Sequence, residues 1–179
     1  YMIVVCAYSR YFVFVPMLGH SANDTINGIN FFVTNHKPFA NYAPEDISEI
    51  HADAGTNFDS SDFKDWASEH NIKIILAAPQ HQEMNGLPER LWQTARQISF
   101  KLLTEARLAL SFFHFAITYA WQIAVVLPAR STVVEEDGEL VPKTPYELYF
   151  GRKPNISRYR VFGCPAIVKV YTRWTPGKT

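Results

Sequence analysis

The chain has 179 residues, of which 47% are hydrophobic and 15% aromatic, enough to bury one substantial core. Its two cysteines, Cys6 and Cys164, are too few for a disulfide framework or a tetrahedral zinc site. The six histidines are scattered, and none stands with a cysteine at metal-ligand spacing. Composition therefore excludes a disulfide-stabilised scaffold and a zinc-binding module.

The formal net charge is zero, but the charge is distributed unevenly. Residues 1–150 carry ten Lys or Arg against seventeen acids, whereas residues 151–179 carry seven Lys or Arg and no acid. Such a basic segment on an acidic core is consistent with contacts to nucleic-acid phosphates, which are independent of base sequence. The alternative is a solvated basic extension that would continue into a downstream domain.

In chain order, MIVVCAY and YFVFVPM predict two strands of a hairpin around Ser9 and Arg10. Residues 21–35 predict a helix with Asn23 or Asp24 as its cap. The run ISEIHAD then predicts a strand.

The next segment, SSDFKDWASEHN, predicts a short helix with Ser60 or Ser61 as its cap. KIILAAP predicts a buried strand, and a long helix is predicted from Glu89 to about Leu110. Its expected buried stripe comprises Leu91, Ala95, Ile98, Leu102 and Ala106.

At 100° per residue, Gln93 and Arg96 share the opposite face of that helix with Glu89. These long polar side chains suit contact with a DNA backbone, and a solvated helix face is the alternative.

Residues 108–129 contain no Lys, Arg, Asp or Glu, a length that raises the question of a membrane span. His114, Thr118, Gln122 and Pro128 interrupt the run, which argues against a membrane span. After it, EEDGEL predicts an exposed acidic loop, TPYELYF a short helix capped by Thr144, and RVFGCPAIVKVY a terminal strand.

Asp53 and Glu89 lie in two separate motifs, HADAGTNFDS and APQHQEMNGLPERLWQTAR, with thirty-five residues between them. Asp53 is predicted at a strand end beside the turn residue Gly55, and Glu89 at a helix start after Pro88. Two carboxylates brought together repel each other unless a cation lies between them, and oxygen ligands suit Mg²⁺. Two such ions activate a water or 3′-hydroxyl nucleophile and stabilise the leaving oxygen of a phosphodiester.

These motifs, together with YSRY near the start and TPYELYFGRKPNISRYRVFGC near the end, resemble the catalytic core of copia-type retrotransposon integrases, which carry the D,D-35-E signature. The resemblance implies an α/β, ribonuclease H-like fold, a mixed sheet flanked by helices, with a buried helix within residues 108–129. It implies a catalytic core at 1–130 and a post-core extension at 131–179. It also implies integration of element DNA, with Asp53 and Glu89 as catalytic ligands of two Mg²⁺ or Mn²⁺ ions. DNA-binding positions would be Asn85, Gly86, Gln93, Arg96, Arg152 and Lys153.

The family has three acids, and the first lies on a strand that precedes the YSRY hairpin. Here no Asp or Glu precedes Asp24, so a fragment that lacks the first strand and its acid is expected. Trp92 also departs from the asparagine that the family commonly has. An inert, decayed fragment that keeps the fold and weak DNA binding is one alternative, and a hydrolase that uses the two carboxylates without metal is another. The resemblance further implies homo-oligomers, no membrane, and nuclear localisation.

Overall fold

A computed structural model describes residues 1–40, 42–53, 55, 57–77, 86–129 and 132–166. Its elements are β1 (Met2–Val5), β2 (Phe12–Val15), α1 (Ala22–Asn35), β3 (Glu49–Ala52), α2 (Ser61–Glu69), β4 (Lys73–Leu76), α3 (Gly86–Ala106), α4 (Phe113–Val126), β5 (Val133–Glu136), β6 (Glu139–Pro142) and α5 (Pro145–Phe150). Short 3₁₀ turns cover Pro44–Asp46, Leu110–Phe112 and Ile156–Arg158. The predicted order of strand, strand, helix, strand, helix, strand, helix is confirmed as far as α3.

The hairpin of β1 and β2 is antiparallel and pairs Val4 with Val13. Its turn explains the YSRY motif, because Ser9 is fully buried and its Oγ accepts a hydrogen bond of 3.2 Å from the Tyr11 amide. Arg10 holds the left-handed backbone conformation, with φ of 61°. The buried Ser9 hydroxyl thus stabilises the turn through its hydrogen bond to the backbone.

The second pair of strands, β3 and β4, is parallel, with Glu49 opposite Lys73 and Ala52 opposite Leu76. The helix α2 connects them and buries Phe63, Trp66 and Ala67. Among the described strands, β1 pairs only with β2 and β3 only with β4. The predicted mixed sheet is therefore present as two separate pairs.

The start of α1 and both ends of α3 differ from the positions that the local sequence patterns predict. The cap of α1 is Ser21, not Asn23 or Asp24. The Asp24 amide donates to Ser21 Oγ, and the Asp24 carboxylate accepts from the Ser21 amide. These reciprocal bonds form a capping box. The helix α3 begins at Gly86, not Glu89, and ends at Ala106, not near Leu110. Arg107 ends it in the left-handed conformation, with φ of 53°, and the Leu108 amide returns to the Leu103 carbonyl.

The predicted buried stripe of α3 was only partly right. Ala95 is buried, but the other predicted members are half-buried, and the remaining buried positions are Ser99 and Leu103. Ser99 tolerates burial because its hydroxyl donates to the Ala95 carbonyl at 2.6 Å. The prediction that α4 is a buried helix is confirmed, since it buries Ala116, Ile117, Ala120 and Val125.

The acidic run EEDGEL is not a loop as predicted but the tip of the hairpin formed by β5 and β6. Asp137 and Gly138 both have positive φ, at 52° and 82°, as the two central residues of a type I′ turn require. The expected strand in RVFGCPAIVKVY is absent over residues 160–166, and its remainder lies outside the described residues.

The short helix α5 is confirmed with its Thr144 cap, which shares a capping box with Glu147. Its aromatic side chains pack on the first hairpin: the Tyr149 ring stacks on the Tyr11 ring at 4.5 Å, and the Phe150 ring meets Tyr11 edge-on at 5.2 Å. A domain boundary near residue 130 stays a prediction, although α5 contacts the core directly. Among the described helices, none is long and apolar enough to cross a membrane.

Candidate metal centre

A cavity of about 510 Å³ lies between the two strand pairs. Its walls come from β1, from β3 and the loop that follows it, and from the first turn of α3. Asp53 and Glu89 both line this cavity, and both side chains are exposed to solvent. The two acids singled out by sequence motif thus face the same space.

Asp53 follows β3 directly, at the carboxyl end of the parallel pair, where ligands commonly bind in open α/β sheets. The loop after it is tied to α1, because Asn57 Nδ2 donates to Thr25 Oγ1 at 2.8 Å and Thr25 is fully buried. The Phe58 ring meets the buried Phe63 ring edge-on at 5.3 Å. These two contacts hold Asn57 and Phe58 in place, a few residues after Asp53.

Gly55 stands very close to the acid it follows. A Cβ at this position would lie 2.8 Å from Asn57 Oδ1 and 3.3 Å from Asp53 Oδ1. A side chain would therefore push against both the anchoring amide and the carboxylate. The prediction of a turn at Gly55 is confirmed, since its carbonyl accepts a hydrogen bond of 3.1 Å from the Phe58 amide. The missing side chain also leaves room for Asp53.

Glu89 lies in the first turn of α3, where the helix dipole favours a carboxylate. Gln93, one turn later, donates from Nε2 to Glu89 Oε1 at 3.4 Å. Trp92 packs inward, with its ring edge-on to Phe14 at 5.4 Å. Trp92 therefore packs the start of α3 against β2.

His51, to which the sequence assigns no catalytic role, also lines the cavity. Its Nε2 donates to Glu49 Oε1 at 2.7 Å, and this hydrogen bond lowers the pKa of Glu49 below its usual value. The imidazole is therefore a polar group on the wall beside Asp53, and one of its two ring nitrogens is already hydrogen-bonded.

The remaining predicted site residues lie at different places. Gly86 is the first residue of α3, and Asn85 lies outside the described residues. Arg96 is exposed and its guanidinium lies 5.5 Å from the Phe100 ring, away from the cavity wall. Arg152 and Lys153 line a second cavity.

The two carboxylates of the first cavity offer hard oxygen atoms, which suit Mg²⁺ or Mn²⁺, and the imidazoles of His20 and His51 also line it. Within the part of the chain that the structure describes, no three His, Cys, Asp or Glu side chains cluster as a metal site would require. Asp53 and Glu89 thus carry the type of ligand atom that a divalent cation takes, but among the described residues they belong to no cluster of three such side chains.

The fold is that of retroviral integrase catalytic cores, which is ribonuclease H-like. The structure of the simian T-cell lymphotropic virus intasome in complex with the PP2A regulatory subunit B56 gamma matches 95% of this chain and 52% of its own, at a TM-score of 0.60 and 16% identity. The HTLV-2 integrase catalytic core in complex with magnesium matches 82% of each chain at a TM-score of 0.55 and 19% identity. The BIV integrase core matches 83% of this chain and 84% of its own, at a TM-score of 0.57 and 14% identity.

The homologues are Pol polyproteins of copia-type transposons and of foamy viruses. The Retrovirus-related Pol polyprotein from transposon RE2 of Arabidopsis thaliana is 26% identical over 92% of this chain, and the one from transposon TNT 1-94 of Nicotiana tabacum is 29% identical over 69%. The chain spans about a tenth of the length of these relatives, 10% and 9%. No protein-family model matches it.

Proposed function

We propose that this chain is part of a retroelement integrase that joins element DNA to target DNA, with Asp53 and Glu89 as its metal ligands. The observation that carries this proposal is that both carboxylates line one cavity at the carboxyl end of β3. Homology to Pol polyproteins and the integrase-core fold support it. The HTLV-2 core, which has this fold, is in complex with magnesium.

When bound, Mg²⁺ or Mn²⁺ supplies activation of the attacking hydroxyl and stabilisation of the leaving oxygen. The residues of this chain hold the site in shape. Asp53 and Glu89 present oxygens, Gln93 restrains the Glu89 carboxylate, and the absence of a side chain at Gly55 leaves room beside Asp53. The cavity is open, so a DNA backbone can reach these groups.

We further propose that a third acid reaches the site on a strand inserted between β1 and β3. The cavity separates these strands, and Met2, Ile3, His51 and Ala52 line it from the two sides. In the described structure each of the two strands is hydrogen-bonded along one edge only. An added strand would pair with both free edges, join the two pairs into one sheet, and place its side chains beside Asp53.

The same proposal implies that the chain binds DNA and associates with itself. It also implies nuclear localisation, since integration takes place in chromosomal DNA. Exposed aromatic and aliphatic side chains on and around α3 and α4 support an oligomer, because large apolar groups exposed together mark association surfaces. These side chains are Phe100, Leu110, Phe112 and Phe115.

An inert fragment that keeps only the fold and weak DNA binding is the second candidate. It is favoured by the number of carboxylates among the described residues, because the two that line the cavity are too few to hold two ions in place.

Strand-transfer assays distinguish the two candidates. The 179-residue chain alone is expected to form no product in Mg²⁺ or Mn²⁺, whereas the chain joined at Tyr1 to a strand that carries an aspartate is expected to form product. The matched control carries asparagine in that strand. An extended chain with no activity, or with activity that persists in the asparagine control, would favour the inert fragment or a different metal site.

A further inference from the structure

A second cavity, of about 360 Å³, lies between the end of α4, α5 and the segment that follows α5. Three cationic residues line it, Arg152, Lys153 and Arg158. Its other lining residues are uncharged at neutral pH: Val126, Tyr146, Pro154, Asn155 and Tyr159. Positive charge therefore faces this cavity without a carboxylate on its wall.

The three cations form no ion pair within the described residues. Like charges that face a common space repel one another, and an anion between them turns that repulsion into attraction. The planar guanidinium of an arginine presents paired N–H donors that match phosphate oxygens. The chemistry of the wall thus favours an oxyanion, and a DNA phosphate is the oxyanion that the proposed function supplies.

The backbone that carries these cations is held at both ends. Before them, Gly151 ends α5 in the left-handed conformation, with φ of 66°, and its amide donates to the Glu147 carbonyl at 2.9 Å. After them, the Tyr159 hydroxyl donates to the Gln122 carbonyl of α4 at 3.1 Å, and the Tyr119 hydroxyl donates to the Arg160 carbonyl. The cations are thus mounted on a segment fixed to the core.

The segment between these anchors is also internally bonded. Asn155 Oδ1 accepts from the Ser157 amide at 3.1 Å, and the Arg160 guanidinium donates to the Ser157 and Tyr159 carbonyls at 2.7 and 2.9 Å. Burial and the neighbouring Tyr119 raise the pKa of Tyr159, so its phenol stays neutral and adds no negative charge to the wall. Arg160 is occupied by the segment itself, whereas Arg152 and Arg158 face the cavity.

We propose that this cavity binds a phosphate of the duplex DNA backbone, with Arg152 and Arg158 as its principal contacts and Lys153 beside them. This inference deepens the proposed integrase function and rests on it for the identity of the ligand. The site contacts backbone and no base edges, so it positions DNA without reading its sequence.

The test compares two double variants of the 179-residue chain that each remove two positive charges. The cavity pair is Arg152→Gln with Arg158→Gln, and the control pair is Lys37→Gln with Lys101→Gln, whose side chains are exposed on other surfaces. Duplex affinity is measured across a range of salt concentrations. Loss of the cavity contacts is expected to weaken binding roughly tenfold at low salt and to reduce the slope of log K against log salt by about 1 to 2.

The control pair should lose several-fold less affinity and keep nearly the full slope. An equal loss in both pairs would overturn the proposal, because net charge alone would then explain binding. An unchanged slope in the cavity pair would also overturn it. Since these are exposed surface changes, thermal unfolding should agree among all variants to within a few degrees.

A second readout uses amide NMR shifts with inorganic phosphate and with a duplex as separate probes. The duplex is expected to shift Gly151, Asn155 and Ser157, and the cavity pair should lose these shifts. Shifts with inorganic phosphate but none with the duplex would overturn the assignment to DNA. Neither the affinity nor the amide shifts depend on Asp53 or Glu89. A negative result would therefore overturn the phosphate site alone, and the proposed integrase function would still be tested by the strand-transfer assay.

Discussion

Replacing either site acid, by Asp53→Asn or Glu89→Gln, is expected to lower strand transfer by about 10³-fold in a chain that carries the third acid. An amide keeps the shape of the carboxylate but loses its charge, so it no longer holds a divalent cation against the charge of the phosphodiester. A loss of this size corresponds to ~4 kcal/mol of transition-state stabilisation. Product formation per unit time, at saturating Mg²⁺, measures it.

The matched controls are Asp65→Asn and Glu105→Gln, which remove one exposed carboxylate from α2 and one from the far end of α3. Both should retain activity within a few-fold. If Glu89→Gln were no more harmful than Glu105→Gln, the first turn of α3 would carry no metal ligand and the site would have to be moved.

Replacing Phe63 with alanine is expected to lower the free energy of unfolding by about 3 to 5 kcal/mol. Phe63 is 0% exposed and packs against the rings of Phe58 and Trp66, so the substitution leaves a cavity beneath the loop that carries Asp53. The midpoint of urea unfolding should fall with little change in its denaturant slope, since the surface exposed on unfolding is nearly the same.

Phe39→Ala is the control for the loss of an aromatic ring, because Phe39 is 54% exposed and contacts Tyr42 at the surface. It should cost less than about 1 kcal/mol. Equal destabilisation by the two substitutions would mean that α2 does not hold the core under β3.

Local sequence signals predicted the first hairpin, α5 with its Thr144 cap, and α2, for which the sequence offers Ser60 or Ser61 as cap and the structure shows Ser60. Each of these elements is specified by residues within one or two turns of one another. The same local logic failed at α1, because Ser21, Asn23 and Asp24 are all good caps and only the reciprocal bonds of the capping box decide among them.

The acidic hairpin shows a different failure. EEDGEL was interpreted from its charge as an exposed loop, although Asp137 and Gly138 are the pair of residues that a two-residue hairpin turn favours. The Asp-Gly pair was the more reliable signal of local structure, because an exposed, charged segment can form a hairpin as well as a loop.

The two site acids were recognisable from their motifs, but the contacts that shape the site were not. The bond from Asn57 to Thr25 spans thirty-two positions in the chain, and Trp92 packs on Phe14 across seventy-eight. Such contacts depend on how the elements pack together, so one sequence read along its length does not reveal them. The steric role of Gly55 beside Asp53 is of the same kind.

The central claim is that Asp53 and Glu89 share one cation, and paramagnetic broadening by Mn²⁺ tests it most directly. Substoichiometric Mn²⁺ should broaden the amide resonances of Asp53 and Glu89 together, because both side chains line one cavity. Glu89→Gln should then diminish the broadening at Asp53, and Asp53→Asn should diminish that at Glu89, while Glu105→Gln leaves both unchanged. Broadening at Asp53 that persists in full strength in Glu89→Gln would show that the two carboxylates do not hold a common ion.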